Sequence, residues 1–117
     1  MNKLTTDSIL NSVKIRLGIP EDYRPFDEAI VMDINMALNT LEQIGLSPEG
    51  GFVISGPEET WSDLIPDRND LEFVKTYVYL KTKKLFDPPT SSIVSTAIDE
   101  QIKELEFRIS AYVDRLP

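Results

Sequence analysis

Two adjacent prolines, Pro88 and Pro89, divide the second half of the chain, and the residues on either side carry helical spacing. From Asp70 to Phe86, apolar residues fall at Leu71, Val74, Tyr77, Val78 and Leu85, which places them on one side of a helix. Asp87-Pro88-Pro89 ends that helix, because the residue before a proline avoids the α region and proline has no N–H to donate. Thr90, Ser91 or Ser92 then caps a second helix by accepting from its first-turn N–H groups. Along it run Val94, Ile98, Ile102, Leu105, Ile109, Tyr112 and Leu116, close to a heptad seam. Asp70 to Arg115 is thus a helix–break–helix unit to which the rest of the chain must fit.

The first half reads the same way. Asp7 or Thr6 can cap a helix carrying Ile9, Leu10, Val13 and Leu17, which Gly18 ends. A two-proline connection, residues 18–26, leads to a second helix opened by Asp27, with Phe26 as the apolar residue just before the cap. Its inner stripe is Ile30, Ile34, Ala37, Leu38, Leu41 and Ile44, and Gly45 closes it. Val31, Met32 and Met36 lie off that stripe, so the helix is either deeply buried or faces a partner. Residues 46–69 are irregular. Ser47-Pro48-Glu49-Gly50-Gly51 is turn chemistry, and Phe52-Val53-Ile54-Ser55 is a candidate short strand or hairpin arm. Phe52, Ile54, Trp61 and Leu64 either fold back as a lid or project onto a neighbouring subunit, since Trp and Phe anchor interfaces through large rigid area. The fold class expected is all-α: a small four-helix bundle in one domain, residues 1–117, with a long irregular loop and a possible β-hairpin between helices two and three.

Composition narrows function. The 117 residues include no Cys and no His, which excludes disulfides, Cys nucleophiles, Cys/His zinc sites and His general bases. No phosphate-cradling loop is present, because Gly50-Gly51 and Gly56 lack a following Lys-Ser/Thr. Glu58 with Glu59, and Asp67 with Asp70, are carboxylate pairs better read as a solvated turn and a helix cap than as acid–base machinery. No enzyme activity, cofactor or metal is expected. With 12 basic and 20 acidic residues the net charge is −8, so tight nucleic-acid binding through phosphate neutralisation is disfavoured. Lys81, Lys83 and Lys84 form the one local basic cluster, suited to the C-terminal end of a helix dipole or to contact with an acidic partner or passing DNA. Asp99, Glu100, Glu104 and Glu106 form a charged face in which Glu100–Lys103 and Glu104–Arg108 have ion-pair spacing. No apolar run approaches the roughly 20 residues of a membrane span. The N-terminal residues lack a signal-peptide core, so a cytoplasmic site of synthesis is the default expectation.

The wording of the second half carries a resemblance. A Lys-rich helix, then Phe86-Asp87-Pro88-Pro89-Thr90-Ser91-Ser92, then a helix containing Glu100-Gln101-Ile102-Lys103-Glu104-Leu105-Glu106-Phe107-Arg108, resembles the C-terminal half of head-to-tail connector (adaptor) proteins of long-tailed bacteriophages. The resemblance implies a structural protein of the virion neck. It implies a ring of about a dozen copies, closed by head-to-tail contacts. The ring would dock on the phage portal, meet a tail-side neck protein and line the channel through which DNA passes without specific binding. It also implies that Ile109–Pro117 engages the portal. The candidate interface residues are therefore Phe52, Ile54, Trp61, Leu64, Ile109, Tyr112, Val113 and Leu116, and the candidate channel or partner-facing charges are Lys81, Lys83, Lys84, Glu100 and Glu104. The alternative is a small acidic interaction module, an assembly factor or regulator without catalytic activity.

Overall fold

The computed structural model describes residues 7–65 and 71–116. Thr6, Asp67 and Asp70, weighed above as cap or carboxylate residues, lie outside them. The described residues are all-α, with five helices: α1 (Ile9–Arg16), α2 (Asp27–Ile44), α3 (Trp61–Leu64), α4 (Glu72–Phe86) and α5 (Ser92–Asp114). The fifth is the single turn α3, which falls inside the stretch expected to be irregular.

Local chemistry explains where the helices begin and end. Ser8, and not Asp7, caps α1: its Oγ accepts from Asn11 N–H at 3.2 Å, while Asp7 accepts from the Ser62 hydroxyl at 3.0 Å. Phe26 occupies the N-cap position of α2 without a side-chain cap bond, so Asp27 is the first helical residue and supplies first-turn negative charge. Gly45 closes α2 at φ 110°, a left-handed conformation that strains any residue with a Cβ. Its missing Cβ also makes room for α5, since a methyl group there would come within 3.0 Å of Val113 Cγ1. Among Thr90, Ser91 and Ser92, it is Ser91 that caps α5, accepting from Val94 N–H at 3.4 Å.

The buried apolar residues form one cluster. α2 packs most extensively on α4, and α4 next most on α5, with α1 laid against α2 and α4. The α2 stripe Ile30, Ile34, Ala37, Leu38 and Leu41 is fully buried, as are Ile9, Leu10 and Val13 of α1. On α4 the inward residues are Val74, Tyr77, Val78, Leu80 and Thr82. Leu85, expected on the same apolar side, is exposed instead and lines an open groove.

No hairpin forms. Among the described residues the only β pairing is an isolated bridge between Ser8 and Thr60. The candidate strand residue Ile54 satisfies its backbone with a side chain: its N–H donates to Asn35 Oδ1 at 2.8 Å and its carbonyl accepts from Asn35 Nδ2 at 3.0 Å. One amide on α2 thereby does the hydrogen bonding that a partner strand would otherwise do, and Ile54 is buried against the helices. Nearby, Thr60 and Asp63 form a reciprocal capping box for α3. Glu59 gathers the turn before it, accepting from Ser55 N–H, Ser55 Oγ and Gly56 N–H.

Candidate functional site

Among the described residues, no group of three or more Asp or Glu side chains is arranged to hold a metal ion. Glu58 is exposed, while Glu59 is committed to Ser55 and Gly56. Burial acts to raise the Glu59 pKa, but the donors from Ser55 and Gly56 outweigh it and hold the carboxyl below its ordinary value. No helix among the described residues is long and apolar enough to cross a membrane.

The residues singled out as interface anchors divide into two sets. Ile54, Trp61, Leu64 and Ile109 lie in the subunit's own core. Of the two arrangements open for the loop, the lid is the one adopted. Trp61 is 1% exposed, and its indole N–H donates to Ser12 Oγ at 3.0 Å, which fastens the loop to α1. Ile54, Trp61 and Ile109 therefore present no surface to a neighbour in this fold, and Leu64 shows only a sliver of its side chain on the floor of a groove. Phe52, Tyr112 and Val113 are half-buried at the edge of the core and Leu116 is exposed. Phe73 meets Tyr112 edge-on, with ring centroids 6.3 Å apart. Beside that pair lies an open groove of about 640 Å³, floored by Leu46, Leu64 and Ile65 and bordered by Phe73, Tyr112 and Leu116.

The candidate charges are mostly engaged within the subunit. Lys84 Nζ donates to Ser95 Oγ at 2.7 Å and lies 3.0 Å from Asp99 Oδ1, which ties α4 to the start of α5. Lys83 reaches Asp87 one turn on, at 3.5 Å. Lys81 lies 5.9 Å from the Tyr77 ring centroid. Glu104 pairs with Arg108 at 3.3 Å, as its spacing predicts. Glu100 is exposed and makes no ion pair with Lys103. Glu106, grouped above with the solvated face, is half-buried and accepts the Tyr77 hydroxyl at 2.8 Å. Burial, reinforced by the Glu106 carboxylate, pushes the Tyr77 phenol well above its ordinary pKa.

Beside Tyr77 and Glu106, a second groove of about 480 Å³ opens between α2, α4 and α5. Met36, Leu85 and Ile102 supply its apolar surface, and Lys81, Lys84 and Lys103 stand around it. Met32 and Met36, off the core stripe of α2, are exposed on this side of the molecule or next to it, Met36 at 59%.

Lys14 was not among the functional candidates, yet it is fully buried. Its Nζ donates to the carbonyls of Glu21 at 3.0 Å and Tyr23 at 2.8 Å. It also lies 2.7 Å from Asp27 Oδ1, an ion pair off hydrogen-bond alignment. One ammonium thus holds the two-proline connection against the start of α2. The signal was present: Lys14 sits one turn from Leu10 and close to Leu17, on the inward face of α1, where a cation needs several acceptors to be tolerated.

The described residues form a small all-α fold with a buried core and apolar grooves on its outside. The chain matches the model of the phage connector proteins over residues 9–115, and it belongs to that family. It is a structural phage protein of the head–tail connector kind. No curated protein and no solved structure gives a significant match.

Proposed function

We propose that the chain is the repeating subunit of a ring in the virion neck, docked on the portal and lining the passage through which DNA reaches the tail. The observation that carries this reading is family membership over nearly the whole chain. The whole chain acts as one structural domain, made in the host cytoplasm and without catalytic activity. About a dozen copies close head to tail, because a contact between two different patches closes into a ring when the rotation per copy allows it.

Two physical features support the assignment. The groove at the C-terminal end of α5, bordered by Phe73, Tyr112 and Leu116, is an apolar concavity on which the portal can seat a helix or loop, and a tail-side neck protein takes the opposite face of the ring. The charge distribution suits a passage that must not grip its cargo. The net charge is −8, Lys14 is buried, and Lys83 and Lys84 are paired with carboxylates, all of which weaken phosphate neutralisation.

The test is electron microscopy of the cognate portal with and without this protein. Ring density added at the portal's tail-side face is the expected result. A portal left bare at saturating protein, with a sequence-dependent gel shift at low salt, would instead favour a regulatory binding module.

A further inference from the structure

The two most exposed large apolar side chains are both on α5: Ile93 at 81% and Phe107 at 75%. They are fourteen residues apart, close to four full turns, and so share one face. Between and beyond them run Ala97, Glu100, Glu104 and Ala111, at successive steps of 4, 3, 4, 3 and 4 from Ile93. This is a second heptad line, on the side of α5 away from the buried Ile98, Leu105 and Ile109. It has apolar ends and an acidic centre, and within the subunit nothing covers it: Ile93, Ala97, Glu100, Glu104 and Phe107 are all exposed.

The groove between α2, α4 and α5 has the matching character. Its apolar surface is Met36, Leu85 and Ile102, its cations are Lys81, Lys84 and Lys103, and its two carboxylates are already engaged, Asp99 by Lys84 and Glu106 by the Tyr77 hydroxyl. Lys84 already has Asp99, but Lys81 and Lys103 have no carboxylate partner among the described residues. A helix laid in this groove gains most if it brings apolar side chains spaced by whole turns and carboxylates between them. The outer ridge of α5 meets both requirements. It also lies roughly a third of a turn around α5 from the groove side, at 3.6 residues per turn, so one copy can offer its ridge to a neighbour while receiving another's in its groove.

We propose that the ring contact is made by the outer ridge of α5 in one copy, anchored by Phe107, lying in the α2–α4–α5 groove of the next copy, with Glu100 and Glu104 set against Lys81 and Lys103. This assignment rests on the ring reading above and names the two surfaces that reading needs. The contact is heterologous: ridge meets groove, and each copy keeps one free ridge or groove until the ring closes.

The chain has no cysteine, so engineered pairs cross-link without background. Met36 and Phe107 are exposed, and replacing them leaves the core intact. The full chain carrying Met36→Cys and Phe107→Cys together is oxidised with copper–phenanthroline, alone at high concentration and on the cognate portal, and read on a non-reducing gel. A ladder of covalent multimers is expected. A mixture of the two single variants should give a dimer containing one of each and nothing longer, and each single variant alone should stay monomeric. Glu100→Lys with Glu104→Lys should abolish the assembled species in native mass spectrometry, and adding Lys81→Glu with Lys103→Glu in the same chain should restore it. Rings of the double variant that form without a cross-link, or rings that survive Glu100→Lys with Glu104→Lys, would overturn this contact while leaving the ring reading intact. A covalent dimer from Phe107→Cys alone would overturn it in favour of a two-fold ridge-to-ridge contact. Absence of any wild-type oligomer, in solution and on the portal, would remove the ring reading and this assignment with it.

Discussion

Residues 46–65 and helix α5 reverse what their regularity suggests. The first segment has almost no repeating backbone structure, yet Leu46, Ile54, Trp61, Leu64 and Ile65 are buried in it. Helix α5 is regular over 23 residues, yet only Ile98, Leu105 and Ile109 are buried along it. The loop is held by individual side chains: Asn35 takes the backbone groups of Ile54, Glu59 those of Ser55 and Gly56, and Ser12 accepts the Trp61 indole N–H. The helix satisfies its own backbone and is free to use one face inside and leave another outside. Irregular chain here belongs to the core, and regular chain supplies the surface.

Substitutions can break this contrast if it is wrong. The largest effect is expected at Trp61, where Trp61→Ala should cost about 3–5 kcal/mol by emptying a buried site and stranding the Ser12 bond. Urea denaturation measures it, and a loss below about 1 kcal/mol would mean that the loop is not part of the core. Next comes Asn35→Ala, which leaves both backbone groups of Ile54 without their partner and should cost about 2 kcal/mol. Hydrogen exchange at the Ile54 amide should accelerate in that variant while amides in the middle of α2 change far less.

The tie between α4 and α5 ranks third. Tyr77→Phe removes the hydroxyl that Glu106 accepts and should cost about 1 kcal/mol near neutral pH. The folded-state pKa of Tyr77 is raised, so its contribution is complete below the ordinary value of 10.0 and declines as pH rises beyond it towards the folded value. The wild-type stability curve should therefore fall above about pH 10, and the phenylalanine variant should show a shallower alkaline limb. Glu59 has the opposite sign. Its folded pKa lies below the ordinary 4.5, so its contribution is present above that value and is lost as pH falls through the folded one. Glu59→Gln should flatten the acid limb, with its loss of stability largest near pH 7 and vanishing at low pH, where the wild-type carboxyl is protonated too. The smallest effect on the subunit is expected at Phe107: Phe107→Ala should change monomer stability by no more than about 0.5 kcal/mol. If it unfolds the monomer, α5 is not the half-exposed element described here.

Much of the helical frame could be read in the residues. The apolar stripe of α2, Gly45 at its end, the Pro88-Pro89 break, the serine cap of α5 and the Glu104–Arg108 pair all depend on contacts within a few positions, where spacing alone decides what meets what. The helix–break–helix wording of the second half was enough to suggest the connector family. The interface candidates were harder. Aromatic and aliphatic residues in an irregular stretch serve a core or a partner equally well, and composition does not distinguish the two. Phe107 was legible in one respect: it falls off the seam of Val94, Ile98, Ile102, Leu105, Ile109 and Tyr112, which marks it as outward-facing on a long helix.

The amino-acid sequence by itself determined the all-α class, the positions of the four longer helices, the lack of cysteine and histidine chemistry and the family. The first three follow from local periodicity, from proline and glycine geometry and from residue content, none of which needs a distant partner, and the family follows from the likeness of the second half to the connector proteins. Only the tertiary structure decided that Trp61 reaches Ser12 across 49 positions, that Asn35 stands in for a strand at Ile54, that Tyr77 finds Glu106 and that Lys14 is sealed inside. Each depends on which helix faces become neighbours once the core closes, and many packings are compatible with the same local pattern until long-range burial selects one.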